Sequence, residues 1–136
     1  TAAATSTDGN YNNLDPSDVS LTNTDDDAAG VTVNPTSGLT TTEAGGTETF
    51  TIVLNSQPMA NVTVGLSSND PNEGIVAPAS ATFTTANWNV AQTVTVTGVD
   101  DAVDDGDIAY GIVTAAATST DGNYNNLDPS DRKSVV

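Results

Sequence analysis

One segment of 18 residues, TAAATSTDGNYNNLDPSD, occurs twice in this chain without a single difference, at Thr1–Asp18 and at Thr114–Asp131. The copies begin 113 positions apart, which is too long for a solenoid turn and close to the size of one domain. We therefore interpret the chain as part of a tandem array of domains of roughly 110 residues each. Residues 1–27 are predicted to be the final loop and last strand of a preceding unit.

The two copies continue differently: VSLTNTDDD follows the first, and RKSVV follows the second. Residues 28–131 are thus predicted to form a sandwich that lacks its own last strand, with residues 132–136 as a divergent tail. Residues 19–27 are not expected to fold back onto their own domain. The link Ala28–Gly30 reaches roughly 10 Å, whereas a strand spans roughly 17–20 Å.

Two arrangements would supply the missing strand. In one, the chain is a slice of a longer covalent array. In the other, VSLTNTDDD of one molecule fills the vacant edge of another by donor-strand exchange, and the repeated contact builds a head-to-tail filament. In both, the predicted partners are neighbouring copies of the same repeat.

Charge and composition exclude several classes of function. The chain has 18 acidic and two basic residues, a net charge of −16, and no Lys, Arg or His before Arg132, which argues against nucleic acid and anionic membranes as partners. It has no Cys and no apolar run of about 18 residues, so neither disulfides nor membrane insertion are predicted. An enzyme is not expected, because few groups could serve as general acid or base. The abundance of Thr, Asn, Asp, Ser and Gly favours an extracellular or cell-surface location.

Apolar and polar residues alternate with a period of two in many short stretches separated by turn-forming residues. TETFTIVLN, NVTVGLSS and QTVTVTGV are the clearest examples. This pattern predicts an all-β chain folded as an immunoglobulin-like antiparallel β-sandwich. The aromatic residues expected in its core are Phe50, Phe83, Trp88 and Tyr110.

Most acidic residues gather at predicted strand ends. Adjacent carboxylates repel each other unless a cation lies among them, and Ca²⁺ takes six to eight oxygen ligands. An EF-hand loop does not fit, because placing Gly106 at its sixth position puts Val103 and Ile112 where acids are needed. Either several loops converge on calcium, or these are solvated polar turns. The clusters are Glu43 with Glu48, Asp70 with Glu73, Asp100, Asp101, Asp104, Asp105 and Asp107 together, and Asp25, Asp26 and Asp27.

The order TTEAGGTETFTIVLN, ANVTVGLSSND, QTVTVTGVDDAVDDGD and VSLTNTDDD resembles a Calx-β domain, the calcium-binding sandwich of sodium–calcium exchangers. Related modules occur in long bacterial surface proteins. In that family these loops meet at one end of the sandwich and hold a calcium cluster. This chain has Asp104 and Asp105 where the family often has Glu. The resemblance implies metal ligation by Glu43, Asp70, Asp100, Asp101, Asp104, Asp105 and Asp107, with Asp25, Asp26 and Asp27 as the terminal acidic triplet.

The function expected from these features is a structural calcium-binding repeat of a rigid extracellular rod or filament, with Ca²⁺ as its cofactor. The alternative is an adhesin module that binds a ligand such as a glycan. Such a module needs exposed aromatic rings, for which Trp88, Tyr11 and Tyr124 are the candidates.

Overall fold

The computed structural model describes residues 1–129 and the backbone of a strand at 132–135, and this part of the chain contains ten β-strands and no helix. Consequently no described helix is long and apolar enough to cross a membrane. The strands are β1 (Val31–Asn34), β2 (Leu39–Thr40), β3 (Thr47–Leu54), β4 (Val62–Ser68), β5 (Gly74–Ala77), β6 (Ser80–Phe83), β7 (Gln92–Gly98), β8 (Ala109–Thr114), β9 (Thr118–Ser119) and β10 (Arg132–Val135).

The strands form two sheets. One has the order β1-β3-β7-β5, and the other has the order β2-β10-β8-β4-β6 with β9 also paired to β4. Every described pair is antiparallel except β10 with β2. The prediction of an all-β, immunoglobulin-like sandwich is therefore confirmed at this level.

The core lies between the inner faces of the two sheets. Phe50, Ile52 and Leu54 alternate along β3 and are at most 3% exposed, as the period of two predicts. Val62 and Val64 of β4 are fully buried in the same core cluster. Burial of each such side chain stabilises the fold by about 1.5–3 kcal/mol. Phe83 and Tyr110 are buried as predicted, and Trp88 packs against the core while partly exposed.

The sandwich has two distinct poles. At the entry pole the chain enters β1, and Val31 pairs with Leu54 at the end of β3. At the opposite pole, which we call the acidic pole, Thr47 at the start of β3 pairs with Thr97. The loop from β7 to β8, which carries five Asp residues, lies at the acidic pole.

The second copy of the repeated segment forms a loop that is locked onto the turn between β3 and β4. Tyr124 is 1% exposed. Its hydroxyl donates to the carbonyl of Ser56 at 2.6 Å, accepts from the Ser56 N–H at 3.1 Å and lies 2.9 Å from Ser56 Oγ. Asp121 Oδ2 accepts from the N–H of Met59 at 2.8 Å. Tyr124 is therefore not an exposed sugar-stacking ring, and the sequence-based suggestion of that role is wrong.

The first copy has the same local conformation but no such contacts with the sandwich. Residues 1–27 contain no strand, and all of them except Ala4 are exposed. Tyr11, the counterpart of Tyr124, is 62% exposed. The strand predicted from VSLTNTDDD is absent in this chain, and the edge beside β8 that such a strand was predicted to fill is paired with β10.

The sheet edge beside β8, which the sequence predicts to be vacant, is occupied by β10. Arg132 pairs with Ile112 and Val135 pairs with Ala109. Ladder pairing uses backbone groups, so the poor side-chain alternation of RKSVV does not prevent it. The predicted domain boundaries at residues 27 and 131 stay predictions.

Removing the Tyr124 hydroxyl should destabilise the fold, because it leaves buried polar groups of Ser56 without a partner. We expect Tyr124→Phe to cost about 1–3 kcal/mol and to lower Tm by roughly 4–8 °C for each kcal/mol. The identical change in the first copy, Tyr11→Phe, should alter stability by less than about 0.5 kcal/mol. Thermal unfolding of both variants tests this, and equal losses would show that the two loops are equally docked.

Candidate metal centre

Three loops meet at the acidic pole. The turn after β2 carries Glu43, and Gly45 within it has a φ of 82°. The N–H groups of Gly45 and Gly46 both donate to the Thr42 carbonyl at 3.1 Å. The other two loops join β4 to β5 and β7 to β8.

The turn between β4 and β5 fixes the position of Glu73. The Asp70 carbonyl accepts from the N–H groups of Glu73 at 3.2 Å and Gly74 at 3.1 Å, and the Asp70 side chain accepts from Asn72 N–H at 3.2 Å. The Val99 N–H donates to the Glu73 carbonyl at 3.0 Å, which ties this turn to the start of the β7–β8 loop. Only glycine fits at position 74, since a Cβ there would collide with the Tyr110 ring.

The carboxylates of Glu73, Asp101 and Asp105 come together at this point. Each offers an oxygen, and these oxygens lie within 4.8 Å of one another. Asp101 Oδ1 accepts from the Val103 N–H at 2.7 Å, which shapes the start of the loop. Gly106 has a φ of 76°, a conformation that favours glycine, directly after Asp105. The sequence thus brings three acids from two loops to one point.

Glu73 is a mostly buried acidic residue, and its carboxylate lacks a hydrogen-bond donor among the described residues. Glu73 is 8% exposed, and no donor among residues 1–129 makes a hydrogen bond to its side chain. Asp121, which is 4% exposed, accepts instead from Met59 N–H at 2.8 Å and from Asn123 N–H at 2.9 Å. Buried polar groups are nearly always satisfied, so a carboxyl group in this position is favoured either protonated or paired with a cation.

The electrostatics of the pole are unfavourable to ionised carboxylates. Burial raises the pKa of Glu73, and repulsion from Asp105, Asp70 and Asp101 raises that pKa further. Burial likewise raises the pKa of Glu43, with added repulsion from Asp101 and Asp105. A bound cation would offset the repulsion among these carboxylates and would give the Glu73 carboxylate a partner of opposite charge.

An open cleft of about 630 Å³ lies beside the cluster. Its walls are Thr40–Thr42 and Glu43 on one side and Asp101–Asp107 on the other. Carboxylate and backbone carbonyl oxygens are both ligands that a hard divalent cation accepts.

The structure gathers most of the predicted ligands at this pole. Glu43, Asp101, Asp104, Asp105 and Asp107 line the cleft. Two of the predicted ligands, Asp100 and Asp70, do not line the cleft. Repulsion from Asp100 nevertheless contributes to the raised pKa of Glu43, and repulsion from Asp70 contributes to that of Glu73.

Sequence reasoning placed Glu73 in an acidic cluster but did not select it as a ligand. The sequence feature that could have identified Glu73 as a ligand is its position directly before β5, at the end of the DPNEG turn.

Asp25, Asp26 and Asp27 form a separate, exposed group whose carboxylate oxygens also lie within 4.8 Å of one another. The Asp27 N–H donates to Asp25 Oδ1 at 3.1 Å. Three residues link this triplet to Val31 at the entry pole. The Glu73 cluster lies at the other end of β3, and eight residues of strand span roughly 25 Å. The triplet therefore does not join the cluster of its own domain.

Comparison with known proteins bears on the fold only. No family model matches the sequence, and no curated protein matches it. The chain is similar to the structure of SSP-19, an MSP-domain-like family member of Caenorhabditis elegans, with 16% identity and a TM-score of 0.54 over 77% of this chain and 97% of that one. WR4, an MSP family member of C. elegans, aligns with 11% identity and a TM-score of 0.47, covering 77% of this chain and 94% of that chain. The likeness to SSP-19 supports the β-sandwich.

The metal-free protein should become more stable on mild acidification. Glu43 and Glu73 have pKa values above the ordinary 4.5 in the folded state. Their contribution to stability is therefore fully present below the unfolded pKa and is lost as the pH rises through the folded pKa. We expect Tm in metal-depleted buffer to rise as the pH falls from 7 toward the ordinary glutamate pKa of 4.5.

The control for this pH dependence is the double variant Glu43→Gln/Glu73→Gln. It removes both titrating groups and should flatten the rise in Tm. A wild-type Tm that is constant or decreasing over the same interval would contradict the prediction.

Proposed function

We propose that this domain is a calcium-binding structural unit of an extracellular rod or filament, with Ca²⁺ held by the loops of the acidic pole. The observation that supports this most directly is the Glu73 carboxylate. Glu73 as a whole residue is 8% exposed, its carboxylate has no hydrogen-bond donor in the described chain, and an oxygen of that carboxylate lies within 4.8 Å of carboxylate oxygens of Asp101 and Asp105. Neutralisation by a bound divalent cation accounts for all three facts.

Calcium is the metal that this donor set favours. The chain has no His and no Cys, the preferred ligands of zinc. Mg²⁺ demands near-ideal octahedral geometry and retains its waters, whereas Ca²⁺ accepts six to eight oxygens in adaptable loops. Glu73, Asp101 and Asp105 would be the central ligands, with Glu43 and Asp104 beside them. The Calx-β resemblance of the same loops supports this assignment, and extracellular calcium modules operate at about 10⁻⁴–10⁻³ M.

The two poles support a rod of units joined end to end. A preceding unit would be followed by Ala28–Gly30 and then by β1 at the entry pole of the next unit. The Gly30 carbonyl accepts from the Asn55 N–H at 2.9 Å, so the link is anchored to the end of β3. The short link would place the acidic pole of one unit against the entry pole of the next.

The acidic triplet would then belong to the preceding unit. Because the repeat offset is 113 positions, Val19–Thr22 corresponds to Arg132–Val135, the strand that pairs with β8. That strand ends beside Ala109, at the acidic pole. Asp25, Asp26 and Asp27 would follow it there and add carboxylates to the preceding unit's calcium site. Covalent linkage and donor-strand exchange between molecules give the same joint.

The adhesin alternative loses two of its three aromatic candidates. Tyr124 is 1% exposed and Trp88 packs against the core. Tyr11 alone is largely exposed, and it lies in the repeated loop. We therefore propose the calcium-stiffened rod in preference to glycan binding.

Calcium should raise the Tm of the protein well above its value in chelator. A ligand specific for the native state stabilises it by about 2.7 kcal/mol at a hundredfold excess over Kd, which corresponds to several degrees or more for a domain of this size. Magnesium at the same concentration should give a much smaller shift. Differential scanning calorimetry in EGTA, in millimolar calcium and in magnesium measures all three.

Two variants that each remove one negative charge test whether the calcium-induced rise in Tm originates at the acidic pole. Glu73→Gln should abolish most of the calcium shift, whereas Asp15→Asn, which removes an exposed carboxylate of the first loop, should leave it unchanged. An equal shift with magnesium, or an undiminished calcium shift in Glu73→Gln, would refute the assignment of the site.

A further inference from the structure

The repeated segment is seen in two surroundings within one chain, and the contrast indicates an interaction surface. We propose that the first loop, Thr1–Asp18, is a docking element for a second copy of this domain. It would bind the β3–β4 turn of that copy, Ser56–Met59, in the way that the second loop binds the turn of its own domain. This inference deepens the proposed end-to-end joint, but it depends on other residues and requires no metal.

The first loop is already in the docked conformation. Its closing hydrogen bonds, Ala4 N–H to the Leu14 carbonyl at 2.8 Å and Asn13 N–H to the Ala4 carbonyl at 2.7 Å, have counterparts of 2.8 Å each in the second loop. Asn13 and Asn126 have the same φ of 64°. The loop therefore needs no contact with the sandwich to form, and little ordering would be required on binding.

The groups that the second loop uses for docking are exposed in the first. Tyr11 is 62% exposed and Leu14 is 52% exposed. Asp8 is exposed, and its Oδ1 accepts from the Asn10 N–H at 2.9 Å, as Asp121 Oδ1 does from Asn123. In the second loop the other oxygen of Asp121 accepts from Met59 N–H. The first loop thus exposes the phenol of Tyr11 and a carboxylate oxygen of Asp8 in the conformation that the docked second loop has.

The receptor on the β3–β4 turn is specific for this pair of groups. Ser56 presents its N–H, its carbonyl and its hydroxyl to one phenol oxygen, and Met59 presents one N–H to a carboxylate. The short strand β9 adds to β4 beside them, with Ser119 Oγ donating to the Asn61 carbonyl at 2.8 Å. Thr5 and Ser6 are the corresponding residues of the first loop and would extend the sheet in the same manner.

The partner we propose is a second copy of the domain, because the β3–β4 turn of this fold presents the groups that bind the repeated segment. In each molecule the tethered second loop already fills the turn, at an effective concentration in the millimolar range. An incoming first loop binds only where that loop is undocked. Such a contact is heterologous, with the first loop of one copy on the β3–β4 turn of another.

The test uses one chain that can only accept and one that can only donate. The acceptor carries Asp121→Ala and Tyr124→Ala to undock its own second loop, and Tyr11→Ala to remove its donor. The wild-type chain is the donor, since its own turn is filled. Analytical ultracentrifugation of the mixture in EDTA should show a 1:1 complex, and each chain alone should be a monomer.

The matched donor control is the wild-type chain with Tyr11→Ala, which should bind the acceptor at least roughly tenfold more weakly because it lacks the buried phenol. If the acceptor does not fold by circular dichroism, Asp121→Asn and Tyr124→Phe with Tyr11→Phe provide a milder acceptor. No complex with a folded acceptor, or equal binding of both donors, would overturn the proposal. Because EDTA is present, this result is independent of whether calcium binds at the acidic pole.

Discussion

The constraint on which this structure depends is the absence of any internal cation. No Lys, Arg or His occurs between Thr1 and Asp131, and among the described residues the one ion pair joins the N-terminal ammonium of Thr1 to Asp18. The fold resolves this in two ways. Asp121 is buried where its carboxylate accepts hydrogen bonds from two backbone N–H groups, those of Met59 and Asn123. At Glu73 no described residue donates a hydrogen bond to the carboxylate, and burial with repulsion from nearby acids raises its pKa, which favours protonation or the cation binding proposed above.

The two copies of the repeated segment separate local from tertiary contributions to structure. Their turns, capping hydrogen bonds and positive φ values are the same, so the local sequence alone determines the loop. Burial differs completely between Tyr11 and Tyr124, because it depends on the presence of Ser56 and its neighbours. The stability of the joint therefore depends on which sandwich a loop reaches, while its shape does not.

The sequence predicted those features that follow from periodicity. The alternation of Phe50, Ile52 and Leu54 identified β3 and its inner face, because side chains on a strand face opposite sides in turn. Alternation did not reveal β5, which is short and follows directly after a turn-rich stretch.

The features that escaped prediction depend on tertiary contacts or on backbone pairing. Glu73 was not predicted as a ligand because its burial is a tertiary property that no local sequence pattern encodes. The strand β10 was not expected because its pairing relies on backbone groups rather than on side-chain alternation. The convergence of Asp101 and Asp105 at the acidic pole was expected from the Calx-β resemblance, whereas the separation of the Asp25–Asp27 triplet follows from chain topology.

The anchoring of the interdomain link determines how a chain of such units would carry tension. In the proposed array, applied force would enter β1 at Gly30 and leave through the strand beside β8 at the opposite pole. Both strands run along the direction of pull, while their ladder hydrogen bonds lie across it. The bonds between β1 and β3 are therefore loaded together in shear instead of being opened one after another. Resistance to stretching would thus reside within each sandwich, and the acidic loops at its end would be spared the load.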